Sequence, residues 1–184
     1  ATGPTYATFA TLLNAEPTAP GTVYTAWLDR DGAITEDAAL AGYGGVAGPT
    51  DDATGHTVAE PFWAFMHASG LVEVDGALVE GPLMLDPLFV TGRPVTEAYW
   101  ASVAVAGTVQ DVLVQCFERR CLTYTPLNEP DWQVEAGNVG RHYYTWRYLS
   151  GQQYVIETIG PEGGSVTLSG ATLAIPEGAL DDPT

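Results

Sequence analysis

The chain has 184 residues, with 6 basic side chains against 23 acidic ones and a formal net charge of −17. All the basic residues are arginine (Arg30, Arg93, Arg119, Arg120, Arg141, Arg147), which excludes lysine Schiff-base chemistry and a P-loop, and the negative field repels nucleic acid and anionic membranes. A hydrophobic share of 46% excludes wholesale disorder, the length suffices for a core without a metal or disulfide scaffold, and no apolar run approaches the ~18 residues of a membrane span.

Residues 1–54 read as an irregular N-terminal region rich in Thr, Ala, Gly and Pro. Ala1-Thr2-Gly3-Pro4 has neither a basic n-region nor an apolar h-region, so a mature segment without its export signal is expected. Residues 5–13 fit a helix or a strand, and 23–28 a strand or a short helix closed by a turn at Asp31-Gly32. An EF-type calcium loop on Asp29-Arg30-Asp31-Gly32 would need ligands where Trp27 and Ala38 stand.

Thr57 and Glu60 have capping-box spacing, and Phe62, Phe65, Met66 and Ser69 recur at helical period, so a helix is expected at about 58–69, stopped by Gly70. Two alternating runs, 71–74 and 77–80, flank Asp75-Gly76 and predict a β-hairpin. The stretch 81–89 is apolar but broken by Pro82 and Pro87, which predicts a buried irregular connection. A weak repeat links residues 57–64 with 94–101, with Glu60 and Glu97 in matching places.

Runs at 102–105, 109–117 and 120–125 predict a three-strand antiparallel meander. Cys116 and Cys121 are equidistant from its Glu118-Arg119 apex, so a symmetric loop makes them a cross-strand pair at disulfide separation. Glu-Arg is not a favoured two-residue turn, and two buried reduced thiols are the other reading. Farther on, Val139, Tyr143 and Trp146 fit one face of an amphipathic helix, while Tyr144 and Tyr148 share another. Strands are expected at 154–159, 165–168 and 171–176.

Catalytic signals are sparse. The three histidines, His56, His67 and His142, lack zinc spacing, so neither a metal nor a cofactor is expected. Glu118 and Glu135 are the residues a glycoside hydrolase would need, but Glu118 stands beside Arg119 and Arg120 and reads as a surface ion pair. With no Gly-x-Ser-x-Gly elbow and no base near the cysteines, no catalytic residue is assigned. Trp132, Tyr144, Arg147 and Tyr148 form the candidate glycan platform, ordinary core packing being the alternative.

Three passages carry a resemblance: Phe117-Glu118-Arg119-Arg120-Cys121-Leu122-Thr123-Tyr124-Thr125-Pro126, Trp132-Gln133-Val134-Glu135-Ala136-Gly137-Asn138-Val139-Gly140, and His142-Tyr143-Tyr144 with Trp146-Arg147-Tyr148. With Gly55-His56-Thr57-Val58 and Pro94-Val95-Thr96-Glu97, they resemble a module of secreted and surface proteins of Chloroflexi-type bacteria. Around Gly92-Arg93-Pro94 the chain is also distantly similar to the LGFP-type surface repeat. Ile159-Gly160-Pro161-Glu162-Gly163-Gly164 with Leu173-Ala174-Ile175-Pro176-Glu177-Gly178 is similar to the opening strands of a ZU5 β-sandwich. The resemblance implies an extracellular or cell-surface location and no particular reaction.

The expected fold is α+β, a small antiparallel β-meander with short packed helices plus a β-rich C-terminal tail, divided as 1–54, 55–150 and 151–184. The tail is either the start of a truncated ZU5-like domain or a donor of strands, with Val166, Leu168, Leu173 and Ile175 as assembly residues. The expected function is a non-enzymatic structural module that self-associates or joins a neighbouring surface domain. A carbohydrate-binding module is the alternative.

Overall fold

The computed structural model describes residues 3–105, 108–149, 157–168 and 170–180. It divides into two compact units, Ala1–Gly137 and Asn138–Thr184. Among the described residues no helix is long and apolar enough to cross a membrane.

The first unit begins with α1 (Tyr6–Ala10), entered through a capping box in which Thr5 and Thr8 satisfy each other's backbone N–H. Strands β1 (Ala26–Leu28) and β2 (Ile34–Glu36) pair around a turn held by Asp29, whose Oδ1 accepts from the N–H of Asp31 and Ala33. A 3₁₀ turn (Ala38–Tyr43) leads to β3 (Ala47–Thr50) and β4 (Thr57–Ala59), an antiparallel pair. The N-terminal stretch, expected to be irregular, thus supplies strands to the body, because its Thr/Ala/Gly-rich runs are short and carry few large side chains to mark a period.

Helix α2 (Glu60–Met66) follows at once with Pro61 in its first turn. The expected capping box is absent: Thr57 is a strand residue, fully buried, and its Oγ1 donates to the Thr18 carbonyl. The repeat does not survive folding either. After Ala59 the first copy turns helical, whereas Tyr99 in the second copy opens a strand. Burial separates the two glutamates: Glu60 is exposed and Glu97 is buried.

The hairpin β5 (Ser69–Val74) and β6 (Ala77–Pro82) forms in the expected register, Val74 opposite Ala77. Both turn residues have positive φ, Asp75 at 51° and Gly76 at 80°, as a tight hairpin turn of this hand requires. Next comes α3 (Pro87–Thr91), capped by Asp86 with Pro87 in its first turn. The stretch 81–89 is not buried: Leu85 is 92% exposed and Phe89 75%. Proline started a helix here, and among the described residues Leu85 and Phe89 find no covering layer. The Arg119 guanidinium lies 5.5 Å from the Phe89 ring centroid and donates to the Leu88 carbonyl.

Strands β7 (Tyr99–Val105), β8 (Thr108–Cys116), β9 (Cys121–Tyr124) and β10 (Val134–Ala136) form an antiparallel meander. It extends into a six-stranded sheet of order β10-β9-β8-β7-β1-β2, with β1 parallel to β7. Alternation along the strands fills both faces. One face carries Trp100, Leu113 and Leu122 against Phe62, Met66 and Leu40; the other carries Tyr99, Ala101, Val112 and Val114 against Phe9 and Leu12. Trp100 is fully buried, and its Nε1 donates to the Tyr24 carbonyl at 2.7 Å. Cys116 and Cys121 are register partners and are disulfide-bonded.

The second unit starts with α4 (Val139–Tyr144), extended by a π-helical turn (Thr145–Leu149). Its last regular element is a hairpin of β11 (Gly164–Leu168) and β12 (Ala171–Ile175). Of the strand expected at 154–159, residues 154–156 lie outside the described residues, and 157–159 form no regular element.

Candidate functional site

The first unit holds a cleft of about 600 Å³ among the β3–β4 turn, α2, α3 and the segment carrying Arg93. The turn is locked by Asp51, whose Oδ1 accepts from the N–H of Ala53 and Thr54 while Oδ2 accepts from Arg93 at 2.7 Å. Burial works to raise the Asp51 carboxyl, but those two N–H groups and the guanidinium outweigh it and hold it below the usual range. Trp63 on α2 and His67, its C-cap residue four positions on, stack their rings at 3.9 Å. The His67 Nδ1–H donates to the Trp63 carbonyl at 2.9 Å, which fixes the imidazole and leaves Nε2 unbonded among the described residues.

Gly92 brings the floor of this region together. Its φ is +75°, and a Cβ there would lie 2.6 Å from the Glu118 Cβ, so only glycine lets the hairpin tip approach. The Glu118 carboxylate then accepts from the Arg93 N–H at 3.0 Å. Among the described residues the ion pair expected between Glu118 and its neighbouring arginines does not form: Arg119 reaches across to α3, and Arg120 Nε is buried with no hydrogen-bond partner among them.

The first unit also holds a buried polar node centred on Glu97. Glu97 Oε1 accepts from the Thr57 N–H and faces His56 Nδ1, each at 3.0 Å, while Oε2 accepts from the Thr18 N–H at 3.0 Å and from the Tyr24 hydroxyl at 3.5 Å. His56 Nε2 faces the Leu13 carbonyl, which only accepts, at 3.2 Å, so Nε2 is the donor there. Burial pushes the Tyr24 hydroxyl well above the ordinary phenol range, and the Glu97 charge adds to the rise; the same two causes, in the same order, raise Tyr99. Next to this node Gln115 is fully satisfied, donating to the Thr57 and Thr96 carbonyls and accepting from the Ala59 N–H. These groups tie strands and loops together, and none presents a reactive atom to solvent.

In the second unit the Tyr144 and Tyr148 rings meet at 5.1 Å, and both are about half exposed. Tyr143, expected on an inward face, is 53% exposed, and the Trp146 side chain lies outside what the structure describes. Helical spacing therefore brought the tyrosine pair together but misplaced Tyr143, because α4 ends after six residues and gives way to a wider turn. Arg147 lies in that wider turn, and Trp132, in a 3₁₀ turn (Pro130–Trp132), is exposed in the first unit; among the four glycan candidates the two tyrosines form a ring pair. Glu135 is an exposed residue of β10, opposite Thr123. In the hairpin, Leu168 and Leu173 are exposed and Val166 and Ile175 half-buried.

Among the described residues no three His, Cys, Asp or Glu side chains group tightly enough to hold a metal ion. Sequence reasoning missed the cleft, the His56–Glu97 node and Gln115. Only the stacking of Trp63 on His67 had a local signal, their four-residue spacing on a helix. Compared with known proteins, the chain matches no family model, no curated protein and no solved structure.

Proposed function

We propose that this chain is a non-enzymatic, extracellular structural module that joins a second copy or a neighbouring surface domain through its C-terminal strands. The observation that carries the reading is the β11–β12 hairpin. Each strand pairs only with the other among the described residues, leaving both outer edges with unpaired backbone groups. An isolated two-stranded hairpin is at best marginally stable, and a neighbour's sheet edge supplies the missing hydrogen bonds. The disulfide suits an oxidising compartment, in keeping with the resemblance to secreted modules. The test is sedimentation and negative-stain imaging of the chain with and without residues 151–184. Loss of assembly on deletion supports the reading; unchanged assembly, or a strictly monomeric full chain that captures no neighbouring surface domain, ends it.

A second reading, glycan binding, rests on the exposed Tyr144–Tyr148 pair. Two adjacent phenol rings offer apolar faces and polar edges to a sugar. A glycan array that retains its signal with Tyr144→Ala and Tyr148→Ala counts against the tyrosine ledge.

A further inference from the structure

We propose that the cleft beside Trp63 is a binding site for a neutral saccharide, independent of both readings above. The cavity, about 600 Å³, is the size of a small-ligand site, and all its walls belong to the first unit. Trp63 is 39% exposed while His67 packs on its ring, so a large aromatic surface is held rigid at the mouth instead of being folded away. Holding an indole in place before binding lowers the entropic cost of using it. The C–H face of a pyranose, slightly positive, stacks on the negative π-face of such a ring.

The polar groups around the ring select the ligand class. Asp52 makes no side-chain hydrogen bond among the described residues. Asp86 uses only Oδ1 to cap α3, and its second oxygen is unbonded among them. With His67 Nε2 these are free acceptors, while the Trp63 indole N–H and the remaining N–H groups of Arg93 are donors. A hydroxyl donates and accepts at once and satisfies such a mixed set. An anionic ligand meets Asp51, Asp52 and Asp86 against a single guanidinium, in a chain of net charge −17. A cationic ligand is attracted by the same excess of carboxylates, because Arg93 is already neutralised by Asp51 at 2.7 Å, so charge opposes only the anion. The stacking face of Trp63 and the mixed set of donors and acceptors, not net charge, single out the uncharged polyol.

The experiment is a glycan array followed by tryptophan-fluorescence titration of the full chain with the neutral oligosaccharides that bind. Trp63→Ala is expected to weaken binding at least tenfold, and Asp52→Ala, an exposed change that leaves the core untouched, severalfold. Binding should be nearly insensitive to salt. Four results overturn the assignment: no glycan bound, binding unchanged in both variants, binding restricted to cationic deacetylated glycans and abolished by salt, or binding lost with Tyr144→Ala and Tyr148→Ala yet kept with Trp63→Ala.

Discussion

The two compact units use similar residues to opposite effect. In Ala1–Gly137 a six-stranded sheet is covered on both faces, and its inward-facing aromatic and aliphatic side chains pack into two clusters, while the stretch around Leu85 and Phe89 stays exposed. In Asn138–Thr184 the only buried large hydrophobic among the described residues is Ile159, while Tyr143, Tyr144, Tyr148, Leu149 and Leu173 stay at least half exposed. Apolar content does not decide burial; the presence of a second layer does. The first unit has a two-sided core; in the second, several of the described large hydrophobics stay exposed.

That contrast breaks or sharpens under four measurements. Trp100→Ala should cost about 3–5 kcal/mol in denaturant unfolding, because it removes a fully buried ring and the hydrogen bond to Tyr24. A cost under ~1 kcal/mol would mean that the first core is much looser than its packing indicates. Replacing Cys116 and Cys121 together by serine should cost roughly 2 kcal/mol, the loop-closure value for so short a bridged segment, seen as a lower midpoint under non-reducing conditions.

The third measurement is alkaline unfolding. Tyr24 and Tyr99 would ionise near pH ~10 in the unfolded chain, whereas burial, seconded by Glu97, raises both in the fold. Their contribution is therefore intact below pH ~10 and is lost as pH rises through the higher folded values. Tyrosinate absorbance should report it, and Tyr24→Phe should flatten the decline; an unchanged profile would remove Tyr24 from the account. The smallest expected effect is that of Leu173→Ala, within ~0.5 kcal/mol for the unfolding of the first unit. A larger loss would show that the second unit stabilises the first.

Elements with local causes were legible. The 71–80 hairpin followed from Asp75-Gly76 between alternating runs, and the meander from β-rich segments around a symmetric apex. The Tyr144–Tyr148 contact followed from four-residue spacing. The cleft was not legible, since its walls come from residues 49–53, 58, 63, 66–67, 86–88, 91–94 and Phe117, and no window of sequence contains them. The stretch 81–89 misled for a related reason: apolar composition was read as burial, yet burial needs a covering partner.

What the sequence determined alone was the acidic charge, the absence of lysine and the positions of turns, all properties of single residues or of neighbours along the chain, while it left the cysteines open between a bridge and two reduced thiols. What only the tertiary structure decided was which of two similar strings became helix or strand, which glutamate was buried against His56, and where an exposed tryptophan met carboxylates. Those outcomes depend on contacts between segments tens of residues apart, as when Glu97 bonds to Thr18 and Gln115 to Thr57, and such contacts leave no periodic mark in the local sequence.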